Sequence, residues 1–253
     1  MMRLLNLLLL SAVCAWGFGC SSSIETEPQS ELNVLLKKIE QAVDPDGVGR
    51  NIRTMRFSAT SELVEQKIKI QTVITYRFPN EIKEQVRIGE FMEVTNIYDG
   101  KNGTEITKGM GVRALSEAEM NSKKFEVMSS NPQLPFDDIF DEIILAPEKA
   151  MINGKPCYHL TGKPLKSLGL SPVQMYFDAE TYRMARQDFI APTAMGNVPM
   201  STDTYDYRKI DGLYVSLKAT SKFLGTTMNT VIEKVELNPS LGPDEFQVPD
   251  EDD

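Results

Sequence analysis

The chain contains a single histidine, His159, and only three cysteines, and this scarcity excludes much chemistry. Common metal centres need several His, Cys or carboxylate ligands at suitable spacing. Cys157 and His159, two apart in an expected strand, make half a site at most, and no nearby residue completes it. A Ser-His-acid arrangement would have to recruit the same histidine, and there is no Gly-x-Ser-x-Gly turn. HExxH and P-loop patterns are also missing. Carboxylate pairs such as Asp137-Asp138 and Asp141-Glu142 read as a solvated surface, although acids from distant strands could still meet. The expectation is therefore a non-enzyme with no metal, no cofactor and no catalytic residue. Basic runs are absent too, and the formal net charge is −9. A polyanion is bound by clustered Lys and Arg, so nucleic acid is not an expected partner. No tandem repeat of solenoid or propeller period is visible.

Long apolar runs are confined to the N-terminus. Arg3 supplies a positive charge, Leu4 to Trp16 is apolar except for Asn6 and Ser11, and Gly17 and Gly19 are small. This pattern predicts an export signal over residues 1–19, too short for a confident transmembrane helix. The stretch Gly19-Cys20-Ser21-Ser22-Ser23 resembles a bacterial lipoprotein signal. That resemblance implies that Cys20 becomes the first mature residue and carries acyl chains, which would hold the protein at a membrane. Gly17 stands where such signals usually have Leu, and ordinary cleavage after Gly19 or near Ser23 is the alternative. With Cys14 in the signal, no disulfide framework can be built. Cys157 reads as a small buried hydrophobe. Residues 20–29 are polar and include Pro28, as in a flexible tether.

The remaining length suits one domain. Leu32, Leu35, Leu36, Ile39 and Val43 recur at helical spacing, with Ser30 as the expected N-cap and Asp44 to Gly47 as the stop. The period then becomes two. Ile68, Ile70, Thr72, Ile74, Tyr76 and Phe78 share one face of a long strand, and Val86 and Ile88 continue on the next. Ser116 and Glu119 form a capping-box pattern that opens a helix carrying Met120, Phe125 and Met128. Pro135 opens a second expected helix, in which Phe136, Ile139, Phe140, Ile143 and Ile144 follow helical spacing. These two helices either close the core or act as a lid over an apolar cavity. Strands return after Ala150. The best-specified element is the hairpin Tyr205 to Leu217, turned by Asp211-Gly212. Tyr205 and Tyr207 are expected on one face before the turn, and Val215 and Leu217 on one face after it.

Met175-Tyr176-Phe177-Asp178 with Thr181, Tyr205 to Val215, Val235-Glu236-Leu237-Asn238 and Tyr98-Asp99-Gly100 together resemble the LolA/LolB-like family of lipoprotein carriers. The resemblance spans about residues 30–249, leaving an acidic tail at 250–253. It implies a mainly β fold with α: a curved antiparallel sheet forming an unclosed β-barrel, with an N-terminal helix and a helical lid insertion over the concave face. It also implies binding of lipid or lipoprotein acyl chains at the bacterial envelope, facing the periplasm. On that basis Ile68, Ile70, Ile74, Tyr76, Val86, Ile88, Val215 and Leu217 are the expected cavity wall. Met120, Phe125, Met128, Phe136, Ile139, Phe140 and Ile143 are the expected lid. A docking module for an envelope protein partner is the alternative.

Overall fold

The computed structural model describes residues 27–193 and 196–248. The expected signal, Cys20 and the acidic tail lie outside them. Helix α1 spans Glu27–Val43 and buries Leu32, Leu35, Ile39 and Val43, the stripe set by their spacing. It starts within the stretch expected to be tether. Ser30 is therefore inside the helix and not its N-cap, a start compatible with Pro28, whose fixed φ is tolerated in a first turn. Gly47, at φ 65, closes the exit.

Five strands then form a meander: β1 (Thr54–Leu63), β2 (Ile68–Arg77), β3 (Glu81–Ile88), β4 (Met92–Tyr98) and β5 (Gly103–Thr107). β6 (Gly111–Ala114) ends it at one edge of the sheet. Alternation drives the pairing. In β1, Met55, Phe57 and Ala59 are buried, and Phe57 lies opposite Ile74 of β2. Next comes α2 (Glu117–Ser130), whose capping box forms as expected: Ser116 Oγ accepts from the Glu119 N–H, and the Ser116 N–H donates to Glu119.

The second expected helix does not form. Phe136–Asp138 is a single 3-10 turn, and Phe140–Leu145 is strand β7. Phe140, Ile143 and Ile144 also satisfy a short strand, and the open edge of β9 supplies hydrogen-bond partners there. Branched Ile143 and Ile144 favour the extended state. β8 (Ala150–Ile152) and β9 (Lys155–Pro164) follow, then β10 (Val173–Asp178), β11 (Met184–Thr193), β12 (Gly196–Ile210), β13 (Leu213–Phe223) and β14 (Thr226–Leu237).

These make one 14-stranded antiparallel sheet, ordered β6-β5-β4-β3-β2-β1-β14-β13-β12-β11-β10-β9-β7, with β8 pairing β9. Because β14 returns to β1, the two meanders join into one surface. β6 and β7 end it as edges, so it is an unclosed barrel. The Asp211-Gly212 turn forms with φ 46 and 101 between the paired Ile210 and Leu213. The preceding alternation fails at Asp206, which has φ 57. Tyr205 is exposed and reaches Thr220 Oγ1, whereas the Tyr207 hydroxyl donates to the Met184 carbonyl, so the two tyrosines do not share an environment.

Candidate functional site: an apolar cleft beneath a charged helix

The concave side is mostly filled by the protein's own side chains. One core cluster joins Leu32, Leu35 and Ile39 of α1 to Ile70, Val86, Phe177, Phe189 and Phe223. A second joins Val43 and Ile52 to Phe57, Ile74, Tyr76, Leu213 and Val215. Among the described residues a cleft lies between α1, α2, the start of β7 and the inner faces of β9 to β11. Phe125, Phe136, Ile139, Phe140, Val173, Met175, Phe177, Met184 and Phe189 line it, with Glu40, Glu126 and Gln187 among its few polar neighbours. Its free volume is about 60 Å³, room for roughly four or five water-sized spheres.

Local sequence explains its shape. In β10, Val173, Met175 and Phe177 alternate inward as expected. Gly162 in β9 lets an aromatic ring lie against the backbone: a Cβ there would sit 2.6 Å from Phe140. Phe140 in turn packs edge-on to Phe125 at 5.7 Å and stacks with Phe136 at 6.2 Å. The cleft is thus an aromatic slot opening onto α2.

The eight expected wall residues do not border this cleft. Ile70 and Val86 are buried in the first cluster, with Ile68 and Ile88 packed against it. Ile74, Tyr76 and Val215 are in the second, with Leu217 against it. Alternation identifies inward side chains but not which of them α1 and its neighbours cover. Of the expected lid, Phe125, Phe136, Ile139 and Phe140 border the cleft. Met128 and Ile143 pack on the first cluster, and Met120 lies over Gly103. The missed lining residues include Val173, Met175, Phe177, Met184 and Phe189. Gly162 within a strand marks a close approach, here of Phe140 and Met175.

The face that α2 buries is polar. Glu119, Ser122, Lys123, Glu126, Ser129 and Ser130 are all buried, with Val127 the only buried apolar residue of the helix. Lys123 pairs with Glu84 of β3 and, at 3.1 Å, with Glu126. Tyr76 donates to Glu126 at 3.2 Å. Glu84 is fully buried and its Oε1 has no partner. Burial pushes the Glu84 carboxyl up to about 8; attraction to Lys123 opposes this and repulsion from Glu126 adds to it. Burial pulls Lys123 down, but Glu126 and Glu84 outweigh it and leave the ammonium raised. Burial therefore favours the neutral form of Glu84, while Lys123 stands against both Glu84 and Glu126. At the helix start, Arg113 grips both Glu105 and Glu119. Burial would raise Glu119, but Arg113 and Ser116 hold it down at about 2.

His159 is engaged elsewhere. Its Nε2 pairs with Gln174 Oε1 at 2.7 Å, and its ring stacks on Tyr176 at 4.6 Å. Cys157 is buried, and burial pushes its thiol up. Among the described residues no group of three His, Cys, Asp or Glu side chains could hold a metal ion. None of the described helices is long and apolar enough to cross a membrane.

No family model matches the sequence, and no curated protein matches it. Solved structures do match its shape. A DUF1329 family protein from Desulfovibrio piger superposes with a TM-score of 0.59 at 12% identity, covering 88% of this chain and 98% of that one. A LolA superfamily protein from Nitrosomonas europaea gives 0.58 at 10% identity, over 85% and 97%. The fold is LolA-like. An outer membrane lipoprotein-sorting protein domain from Vibrio parahaemolyticus also matches, with a TM-score of 0.54 at 10% identity over 86% and 95%. Within this LolA-like fold, the open sheet supplies the concave wall, α1 packs on part of it, and α2 roofs the cleft.

Proposed function

We propose that the domain binds acyl chains of lipid or lipoprotein, without covalent chemistry, in the cleft beneath α2 at the bacterial cell envelope. One observation carries this reading: an aromatic, apolar slot is roofed by a helix attached through buried charges. Phe125, Met128 and Val127 also pack α2 on the core, but its buried charges regain hydration when the helix lifts, which offsets part of the cost of opening. The slot admits only a few methylenes as it stands, so a longer chain enters as α2 lifts. Each methylene then buried is worth about 0.8 kcal/mol. Phe125, Phe136, Ile139 and Phe140 make the first contacts. Lifting α2 would also uncover Tyr76, which bonds Glu126, and the side chains around Val127. In this reading Cys20 is lipidated and keeps the exported domain at a membrane. The likeness to a lipoprotein-sorting domain supports it.

The test is to isolate the protein from envelope membranes and analyse its bound lipid by mass spectrometry. Acyl lipid at near-stoichiometric yield, reduced by Met175→Trp, is the expected result. The small free volume of the cleft supports a second reading, a rigid docking module for an envelope protein. Lipid-free protein that crosslinks to one stoichiometric protein partner would replace the first reading with that one.

A further inference from the structure

The two rims of the sheet differ in a way that the cleft does not explain. In a meander, alternate turns fall on the same rim, so those of β1–β2, β3–β4 and β5–β6 lie together. The β13–β14 turn joins them, because β14 pairs with β1 and the Val64 N–H donates to the Thr227 carbonyl. Each of these four turns presents a large apolar side chain to solvent: Val64 at 42% exposure, Phe91 at 95%, Met110 at 57% and Leu224 at 58%. The opposite rim turns through Pro79-Asn80, Asp99 to Asn102, Asn153-Gly154, Asp178 to Thr181 and Asp211-Gly212; these turn residues are mostly polar or glycine, with Met151, at 64% exposure, beside the Asn153-Gly154 turn.

Turn chemistry does not require this. Among the described residues, three tight turns place a non-glycine residue and then a glycine at positive φ. Two use Asn153-Gly154 and Asp211-Gly212, the residue types such turns favour. The third uses Leu224-Gly225, with Leu224 at φ 47, where a bulky apolar residue is disfavoured. Met110 likewise stands between Gly109 and Gly111, both at positive φ.

We propose that this rim rests on a lipid bilayer, with Val64, Phe91, Met110 and Leu224 inserted into its interfacial layer. The four side chains stand on separate hairpins with charged neighbours such as Glu65, Lys108 and Lys222 between them. A fluid lipid surface accepts separated apolar points, whereas a folded partner's apolar core needs a continuous patch. The length of the preceding chain points the same way. If Cys20 carries acyl chains, the seven residues up to Glu27 reach at most about 25 Å. A domain held that close meets the bilayer with some face, and this rim carries exposed apolar side chains at four of its turns. The proximity argument rests on lipidation at Cys20, whereas the rim asymmetry does not.

A photoreactive benzoylphenylalanine replacing Phe91, Leu224 or, as the control on the opposite rim, Lys101 tests this in the full chain within membranes. All three sites are exposed, so folding is not at stake. Lipid adducts at 91 and 224, several-fold above those at 101, are expected. Protein adducts only, no adducts, or equal labelling at all three positions overturn the proposal. Repeating the labelling with Cys20→Ser and added phosphatidylethanolamine–phosphatidylglycerol vesicles separates it from the anchor reading. Rim adducts that persist there support direct docking even where no acyl chain is attached.

Discussion

Replacing Glu84 with glutamine is expected to remove most of the protein's pH-dependent stability. Glu84 is fully buried, and its carboxyl is pushed to about 8, first by burial. An unfolded glutamate titrates near 4.5. Between those values the unfolded chain has released the proton that the folded protein keeps. The folded state therefore binds more protons, and stability falls as pH rises through that window. The contribution is complete below 4.5 and gone above about 8. At 1.36 kcal/mol per pKa unit the full drop is on the order of 5 kcal/mol, an upper bound because water entry and relaxation soften it. The amide introduced by Glu84→Gln keeps the shape and cannot ionise, and Lys123 retains Glu126. Urea unfolding across the window should show wild type losing several kcal/mol while Glu84→Gln stays nearly flat. Amide exchange along α2 should accelerate with pH in wild type beyond the intrinsic rate, and less so in the variant. Parallel stability curves for the two proteins would refute the reasoning, because Glu84 would then not be held neutral beneath α2.

Removing Lys123 is more damaging, since it leaves the buried Glu126 and Glu84 without their cationic partner. Lys123→Met should cost about 3–5 kcal/mol in chemical denaturation and lower exchange protection in α2 first. Gly212→Val should lower the thermal midpoint strongly, because φ is 101 and a Cβ would meet Val48 methyls at 2.9 Å. His159→Gln should leave lipid binding unchanged, as His159 lies outside the cleft. Gly162→Ala pushes a methyl into Phe140; overpacking of about 1–3 kcal/mol and weaker acyl-probe binding should appear together in melts and titrations. Leu224→Asn relieves a strained turn and should stabilise by about 0.5–1 kcal/mol in denaturant titrations while reducing vesicle association.

The legible parts of the fold are those specified by local chemistry. Asp211-Gly212 and Asn153-Gly154 announce turns because few residues accept positive φ. Ser116 and Glu119 announce a helix start because each satisfies the other's backbone. Ile68 to Phe78 announces a strand through its alternation. Phe140 to Leu145 misleads because its apolar residues fit both a helix and a short strand, and the open edge of β9 decides between them. The cleft is harder to locate. Inward-facing residues occur on every strand, but α1 fills one part of the trough and leaves another, a tertiary fact with no local signature. The polar underside of α2 shows in the sequence only as weak amphipathicity. Glu84, which sits opposite it, lies on a strand 39 residues from Lys123.

The central claim is that the slot beneath α2 receives an acyl chain. A photoactivatable fatty-acyl probe, crosslinked to the native protein and mapped by peptide mass spectrometry, tests it directly. Adducts on Phe125, Phe140, Met175 or Phe189, competed by unlabelled lipid and diminished by Met175→Trp, are expected. Adducts confined to the hairpin rim at Phe91 and Leu224, or none that lipid competes, would contradict it.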